Sequence, residues 1–524
     1  MKTRPYAHRK WAWGLFLGVV VLATGYAQAQ EGAVPAVIPR PTSMRMGEGS
    51  FTITENTVIE ADEKNLETAR YLADALAPAT GFRLEIVTKP DGADNVIAFA
   101  TVADDELGTE GYRLNVSGNL VAIYATTPAG AFYACQTLHQ LLPPAIESPN
   151  PVPGATWTIP CVSIMDRPDL AWRGFMLDSA RNYQTKEFIK GFIDKLALYK
   201  INHFHWHYND DEAWRIPASK YPELVKPGDK GYTHDDVREI VAHAAARHMI
   251  VYPEIEMPGH STHALRRYPE LSCEGVDPAK QKVKEYCLGK DETFRFLQDV
   301  IEEAMELFPG PYIHIGGDEA TQDHWKQCAD CRARMKNERL YNNTTLLQMW
   351  FMKKMNAFVI EKGRTSIAWA ENYTADVPKG QIVHAWHSGE SRFVARKGFR
   401  TINSEHESVY FNYPMSPGDR PRSRWMPVLS LRTVYRFDPV PSGLTPEQQK
   451  LVLGSEACLW TNLFEQEKVY YKTFPRLFAF SEIVWTSKKL RNWDDFQSRV
   501  DKHLARLDAM GVDYYSEKKA AKQE

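Results

Sequence analysis

Two carboxylates stand side by side in the stretch Tyr312-Ile313-His314-Ile315-Gly316-Gly317-Asp318-Glu319. The apolar, β-branched run reads as a buried strand. Its glycines break the strand, so Asp318 and Glu319 arrive where it opens into a loop. In a parallel barrel, the C-terminal strand ends carry the chemistry, and a carboxyl there can donate a proton, accept one or attack. The plainer alternative is a solvated helix start, because acidic side chains favour a first helical turn.

Other strand-like runs end in similar side chains: Asp178; Asn209, Asp210 and Asp211; Glu254, Glu256 and His260; Trp369 and Glu371; Trp386 and His387; Tyr410 and Asn412; Trp460 and Asn462. Arg173 is counted with Asp178 at the end of the first of these runs. No serine or cysteine occupies a nucleophile-elbow sequence. Carboxylates among tryptophans suggest glycoside hydrolysis, in which one acid protonates the leaving oxygen. The chain holds 14 Trp and 24 Tyr. Their rings can stack on sugar faces while their polar tips bond hydroxyls, although core filling accounts for most of them.

The elements that must position these residues form a regular alternation. Strands are expected at Trp172-Asp178, Asn202-Tyr208, Ile250-Glu256, Tyr312-Ile315, Thr365-Trp369, Ile382-Trp386, Thr401-Asn403 and Leu451-Leu459. Helices are expected at Thr185-Tyr199, Asp235-His248, Glu292-Leu307, Thr345-Ile360 and Thr473-Trp485. Eight such units predict an α/β fold, a (β/α)8 TIM barrel over 166–515. An open doubly wound sheet is the competitor, but its glycine fingerprint for phosphate is missing. Residues 36–165 mix short alternating strands with helices near Leu66-Leu76 and Pro128-Leu142, which predicts a small α/β domain ahead of the barrel.

Six segments together resemble glycoside hydrolase family 20, the β-N-acetylhexosaminidases. They are Trp172-Arg173-Gly174-Phe175-Met176-Leu177-Asp178, His205-Trp206-His207-Tyr208-Asn209-Asp210-Asp211, Pro253-Glu254-Ile255-Glu256-Met257-Pro258-Gly259-His260, His314-Ile315-Gly316-Gly317-Asp318-Glu319, Ala368-Trp369-Ala370-Glu371 and Glu456-Ala457-Cys458-Leu459-Trp460. The resemblance implies an exo-acting, retaining, substrate-assisted reaction, in which the sugar's 2-acetamido group is the nucleophile. It makes Glu319 the acid/base and Asp318 the group that orients the acetamide. Tyr410 would bond the acetamido oxygen, Trp369, Trp386 and Trp460 would wall the pocket, and Arg173 would fork onto the sugar's outer hydroxyls. Asp210 and His260 would form a relay behind Glu319. The adjacency of Asp318 and Glu319 agrees, since neighbours on a strand point to opposite faces and suit an acid–nucleophile pair poorly. No cofactor is implied, and the expected partner is a glycan with a terminal N-acetylhexosamine.

Two positions depart from the family's usual pattern. Asn412 and Asn462 stand where carboxylates are common, toward the 4- and 6-hydroxyls. Amides there would tolerate a negative substituent, which raises 6-sulfated N-acetylglucosamine as an alternative substrate, against simple drift between equivalent residues. A lacto-N-biosidase that removes disaccharides is another alternative within the family. From other classes come a metal-dependent barrel hydrolase, suggested by His203, His205, His207, His260 and His263, and an inactive sugar-binding protein.

A basic start, an apolar run from Trp11 to about Ala23 and Ala27-Gln28-Ala29 read as a signal peptide over 1–29. Export to the periplasm or the medium is therefore expected, with no membrane span in the mature chain and a homodimer left open. A net charge of −3 offers no argument for nucleic acid. Among seven cysteines, Cys273 and Cys287 are the first candidates for a disulfide, Cys328-Ala329-Asp330-Cys331 is a lone C-x-x-C, and Cys135, Cys161 and Cys458 look like buried thiols.

Overall fold

The computed structural model describes residues 35–89, 94–280, 283–371, 380–419 and 423–516. The segment 1–29, expected to be a signal peptide, lies outside them. Ala36–Glu524 form one compact unit. Its first part is a seven-stranded sheet ordered Ser43–Ile53, Trp157–Asp166, Tyr112–Val116, Leu120–Ala125, Val96–Thr101, Val58–Glu60 and Glu85–Val87. Helices Leu66–Thr80 and Pro128–Leu141 accompany this sheet. Leu72, Leu76, Phe132 and Leu138 are buried at helical spacing, which is the amphipathic pattern legible in the sequence.

The second part is a closed barrel of eight parallel strands: Trp172–Asp178, His203–His207, Ile250–Glu254, Tyr312–His314, Thr365–Trp369, Ile382–Ala385, Arg400–Asn403 and Val452–Leu459. Helices Lys186–Leu198, His234–Ala245, Asp291–Leu307, Thr344–Glu361 and Arg476–Trp485 lie close to the expected spans. The α/β barrel is thus the architecture of this chain.

The barrel interior carries a polar layer. Glu254 accepts the Trp369 indole N–H at 2.6 Å and pairs with His207 at 2.5 Å, His314 at 2.8 Å and His205 at 3.2 Å. Burial alone would raise this carboxyl, but His314, His207 and His205 together hold it well below the usual range. His205 also meets Glu456 at 2.8 Å, and the Tyr252 hydroxyl donates to Glu456 at 2.5 Å. His205 and His207 are therefore held by carboxylates inside the barrel, while His203 pairs with the Asn202 side chain at 2.7 Å. A buried charge needs such partners.

Arg173 corrects an expectation. It is the second residue of the first barrel strand, so it sits at the N-terminal floor, far from the chemistry-bearing end. Its fully buried guanidinium grips Glu110 of the small sheet domain at 2.7 and 2.9 Å and donates to the carbonyls of Lys200 (2.7 Å) and Leu170 (3.0 Å). Beside it, Lys200 and Asp166 form a fully buried pair at 2.8 Å. Arg173 ties sheet to barrel and does not reach a sugar.

Candidate active site

The fourth barrel strand ends at His314, and the chain turns out of it through left-handed residues: Gly316 at φ 57°, Gly317 at φ 116° and Glu319 at φ 46°. A Cβ on Gly316 would stand 2.2 Å from a Glu256 carboxylate oxygen, so only glycine fits there. Asp318 and Glu319 consequently lie on a bent loop, and strand alternation does not separate them. His260 Nε2 is 3.7 Å from Asp318 Oδ2 and 3.5 Å from Glu319 Oε2. His260 itself is left-handed, at φ 48°. Non-glycine residues held there cost about 1–3 kcal/mol each, and they cluster at functional sites.

Behind His260 runs a chain of charges. Its Nδ1 meets Asp210 Oδ1 at 3.1 Å, and Asp210 Oδ2 is shared by His207 at 2.9 Å and Arg181 at 2.7 Å. Burial disfavours a positive His260, but Asp210, Glu319 and Asp318 outweigh it and raise the imidazole well above its usual range. The hydrogen bond from His260 in turn lowers Glu319, whose side chain is 57% exposed. Asp318 behaves oppositely: burial pushes it up to about 6 despite the facing His260. Its Oδ1 is buried and has no hydrogen-bond partner among the described residues. Glu256 is raised well above the carboxylate range, by burial first and then by Asp318 and Glu254.

These groups open on a cavity of about 440 Å³ at the C-terminal barrel mouth. Asp210, His260, Asp318, Glu319, Trp369, Trp386, Tyr410, Trp460, Asn412 and Asn462 all line it, as does Arg181. Of the expected site residues, only Arg173 is elsewhere. Trp369 is locked by stacking on His384 at 4.1 Å and by its bond to Glu254, while Trp460 hydrogen-bonds Tyr410. Arg181 is the cation that sequence reasoning missed. It lies three residues past the end of the first barrel strand, between Asp210, Glu212 at 3.3 Å and Asp178 at 3.6 Å, with its guanidinium over Trp460 at 5.0 Å. It is the sole arginine or lysine among the described lining residues, and three carboxylates match its charge. The rule that chemistry sits past the C-terminal strand ends, applied to both arginines, selects it. The expected Cys273–Cys287 disulfide is also absent. None of the seven cysteines is in a disulfide, and Cys287 lies nearest Cys331 and Cys328.

A barrel mouth with several carboxylates, three tryptophan walls and one engaged arginine is the site of a glycoside hydrolase. The family follows from comparison. The model described as glycosyl hydrolase family 20, catalytic domain, matches residues 170–488, and that for the family's domain 2 matches residues 34–167. A Porphyromonas gingivalis β-hexosaminidase is 35% identical over 510 residues, 91% of this chain and 64% of that protein, so this chain spans under two thirds of that relative. The family 20 β-N-acetylhexosaminidase of Streptomyces coelicolor A3(2) superposes with a TM-score of 0.81 at 34% identity, covering 93% of this chain and 98% of that one. A mutant Streptomyces plicatus β-hexosaminidase solved with its product GlcNAc gives a TM-score of 0.80 at 33% identity, covering 92% and 96%. The chain belongs to glycosyl hydrolase family 20. Its enzyme class is that of the β-N-acetylhexosaminidases.

Proposed function

We propose that the chain is an exo-acting, retaining β-N-acetylhexosaminidase in which the substrate's acetamide is the nucleophile. The observation that carries this reading is the pairing of Asp318 and Glu319 on one imidazole edge. Ordinary retaining enzymes set an acid and a nucleophile roughly 5–5.5 Å apart across the scissile bond. Here both carboxyls approach His260 Nε2 from one loop. Asp210 is occupied by His260, His207 and Arg181, and burial with Asp318 and Glu254 nearby disfavours the anion of Glu256, so neither is suited to attack the sugar. The missing nucleophile is supplied by the sugar.

In this reading, Glu319 protonates the glycosidic oxygen. In the free protein it is ionised beside His260, whose imidazolium at 3.5 Å is the nearest proton source. A sugar seated on the half-exposed carboxyl strips its water and raises its proton affinity. The unpartnered Asp318 Oδ1 accepts the acetamido N–H as positive charge develops on that nitrogen. Tyr410 donates to the acetamido oxygen, and Trp369, Trp386 and Trp460 confine the group for intramolecular attack. The carbonyl oxygen bonds to the anomeric carbon as the leaving oxygen departs with the proton. Water, deprotonated by Glu319, then opens the oxazolinium with net retention.

Arg181 takes the part expected of Arg173, donating to outer sugar hydroxyls. Terminal N-acetylglucosamine is the first substrate to test, supported by the product held in the Streptomyces plicatus relative. The leader-like start supports export. Release of 4-nitrophenol from the N-acetyl-β-glucosaminide, with none from the β-glucoside that lacks the acetamide, is the expected result. Equal turnover of both would refute substrate assistance.

A further inference from the structure

Four cysteines from distant points of the sequence meet away from the sugar cavity. Cys273 follows a short helical stretch, Cys287 precedes helix Asp291–Leu307, and Cys328 and Cys331 start helix Ala329–Asn337. All are buried. Their sulfurs are 3.6 Å (Cys287–Cys331), 3.7 Å (Cys287–Cys328) and 3.9 Å (Cys273–Cys331) apart, and all four lie within 4.8 Å of one another. A zinc ion with Zn–S bonds of about 2.3 Å in a tetrahedron needs sulfurs about 3.8 Å apart.

The geometry argues for one shared centre over two bonded pairs. Cys287 touches two sulfurs at nearly equal distances, and so does Cys331, whereas a disulfide joins each sulfur to one partner at about 2.05 Å. The backbone is shaped to the same end. The chain leaving Cys287 presses so closely on the Asp330–Cys331 peptide that a Cβ on Gly289 would lie 2.2 Å from it. Four thiols crowded without a cation gain little, whereas four thiolate ligands suit a soft d10 dication.

We infer that Cys273, Cys287, Cys328 and Cys331 bind a structural zinc ion. The ion pins the segment 283–287, which bridges the two catalytic loops. On the His260 side, the Tyr286 N–H donates to Pro258 O at 2.9 Å, the Ser261 hydroxyl to Lys284 O at 2.8 Å and the Thr262 hydroxyl to Val283 O at 2.7 Å. On the Glu319 side, the Trp325 indole donates to Tyr286 O at 2.8 Å and the Thr321 hydroxyl to Glu285 at 2.7 Å. The four cysteines are thus positioning residues for the loops that carry His260 and Glu319.

The test is elemental analysis of the full chain purified without chelator or added metal, with non-reducing peptide mapping of the same sample. One zinc per chain, released as a mercurial titrates four thiols, is the expected result. Cys328→Ser should lose the zinc while Cys161→Ser, remote from the cluster, retains it. Should Cys328→Ser fail to fold, cobalt exchanged into the wild-type chain must show thiolate-to-cobalt charge-transfer bands. Disulfides joining these cysteines, four free thiols with no metal, or iron in place of zinc would each overturn the inference. None of these readouts depends on the sugar chemistry, so a failure here leaves the proposed reaction standing.

Discussion

The floor and the mouth of the barrel hold similar charges and use them differently. At the floor, Arg173 meets Glu110 twice, and Lys200 meets Asp166 with no exposure on either side chain. At the mouth, Arg181 and His260 face six carboxyls, of which one oxygen of Asp318 has no partner, Glu256 is raised above the usual carboxylate range and Glu319 is half exposed. The floor's two cations are each paired with a carboxylate, which fixes how sheet and barrel meet. The mouth is left incompletely paired, and substrate can supply what is missing. Arginines eight positions apart therefore do unlike work, and the end of the strand decides which.

Substitutions can break this contrast. The largest expected effect is Glu319→Gln at the mouth, lowering kcat/KM on an unactivated disaccharide about 10²–10⁴-fold, the usual worth of a general acid, with thermal stability unchanged. Asp318→Asn should cost about 10²–10³-fold, as loss of a transition-state charge partner does. At the floor, Arg173→Met should destabilise by about 3–5 kcal/mol, because Glu110 is left charged without its partner, while kcat/KM of the folded fraction holds. Urea titration and steady-state rates separate the two. Arg181→Lys should give the reverse pattern, losing about 10–100-fold in kcat/KM, the worth of hydrogen bonds from a charged group, with little change in stability.

A pH profile sharpens the same contrast. Asp318 has to be ionised to face the positive acetamide nitrogen, and its carboxyl lies at about 6, above the usual 3.8. Protonation as pH falls through this value removes the anion, so kcat/KM should decline below about pH 6, and Asp318→Asn should flatten that limb. The apparent value belongs to the Asp318–Glu319–His260 cluster as a whole. The smallest expected effect concerns Asn462. Asn462→Glu should lower the ratio of kcat/KM on 6-sulfated over plain aryl N-acetylglucosaminide, by roughly fivefold if the added repulsion is on the order of 1 kcal/mol. An unchanged ratio would place Asn462 away from the 6-position.

The barrel was legible because short strand-like runs, most of them apolar, are each followed by polar residues, and the flanking helices carry apolar stripes. Asp318, Glu319 and the three tryptophans were legible for the same reason, since they stand at strand ends or just past them. Arg173 misled because residue type was weighed ahead of position: it follows Trp172 at the strand start, whereas Arg181 follows Asp178 past the strand end. The bent loop that puts Asp318 and Glu319 on one histidine depends on left-handed Gly316, Gly317 and Glu319, and strand alternation could not foresee it. The cysteine cluster was half visible as Cys328-Ala329-Asp330-Cys331. Its other half, Cys273 and Cys287, is separated from it by a whole helix and strand, which only the fold brings together.

Substrate assistance by the acetamide is the central claim, and it is tested most directly by aryl glycosides whose N-acyl group is acetyl, fluoroacetyl, difluoroacetyl or trifluoroacetyl. Each fluorine weakens the carbonyl oxygen as a nucleophile while changing the sugar's shape little. With the acetamide as nucleophile, kcat/KM falls steadily along the series, with a steeper fall than for hydrolysis by an enzyme that uses its own carboxylate. A flat or rising series would contradict it and return the nucleophile to the protein.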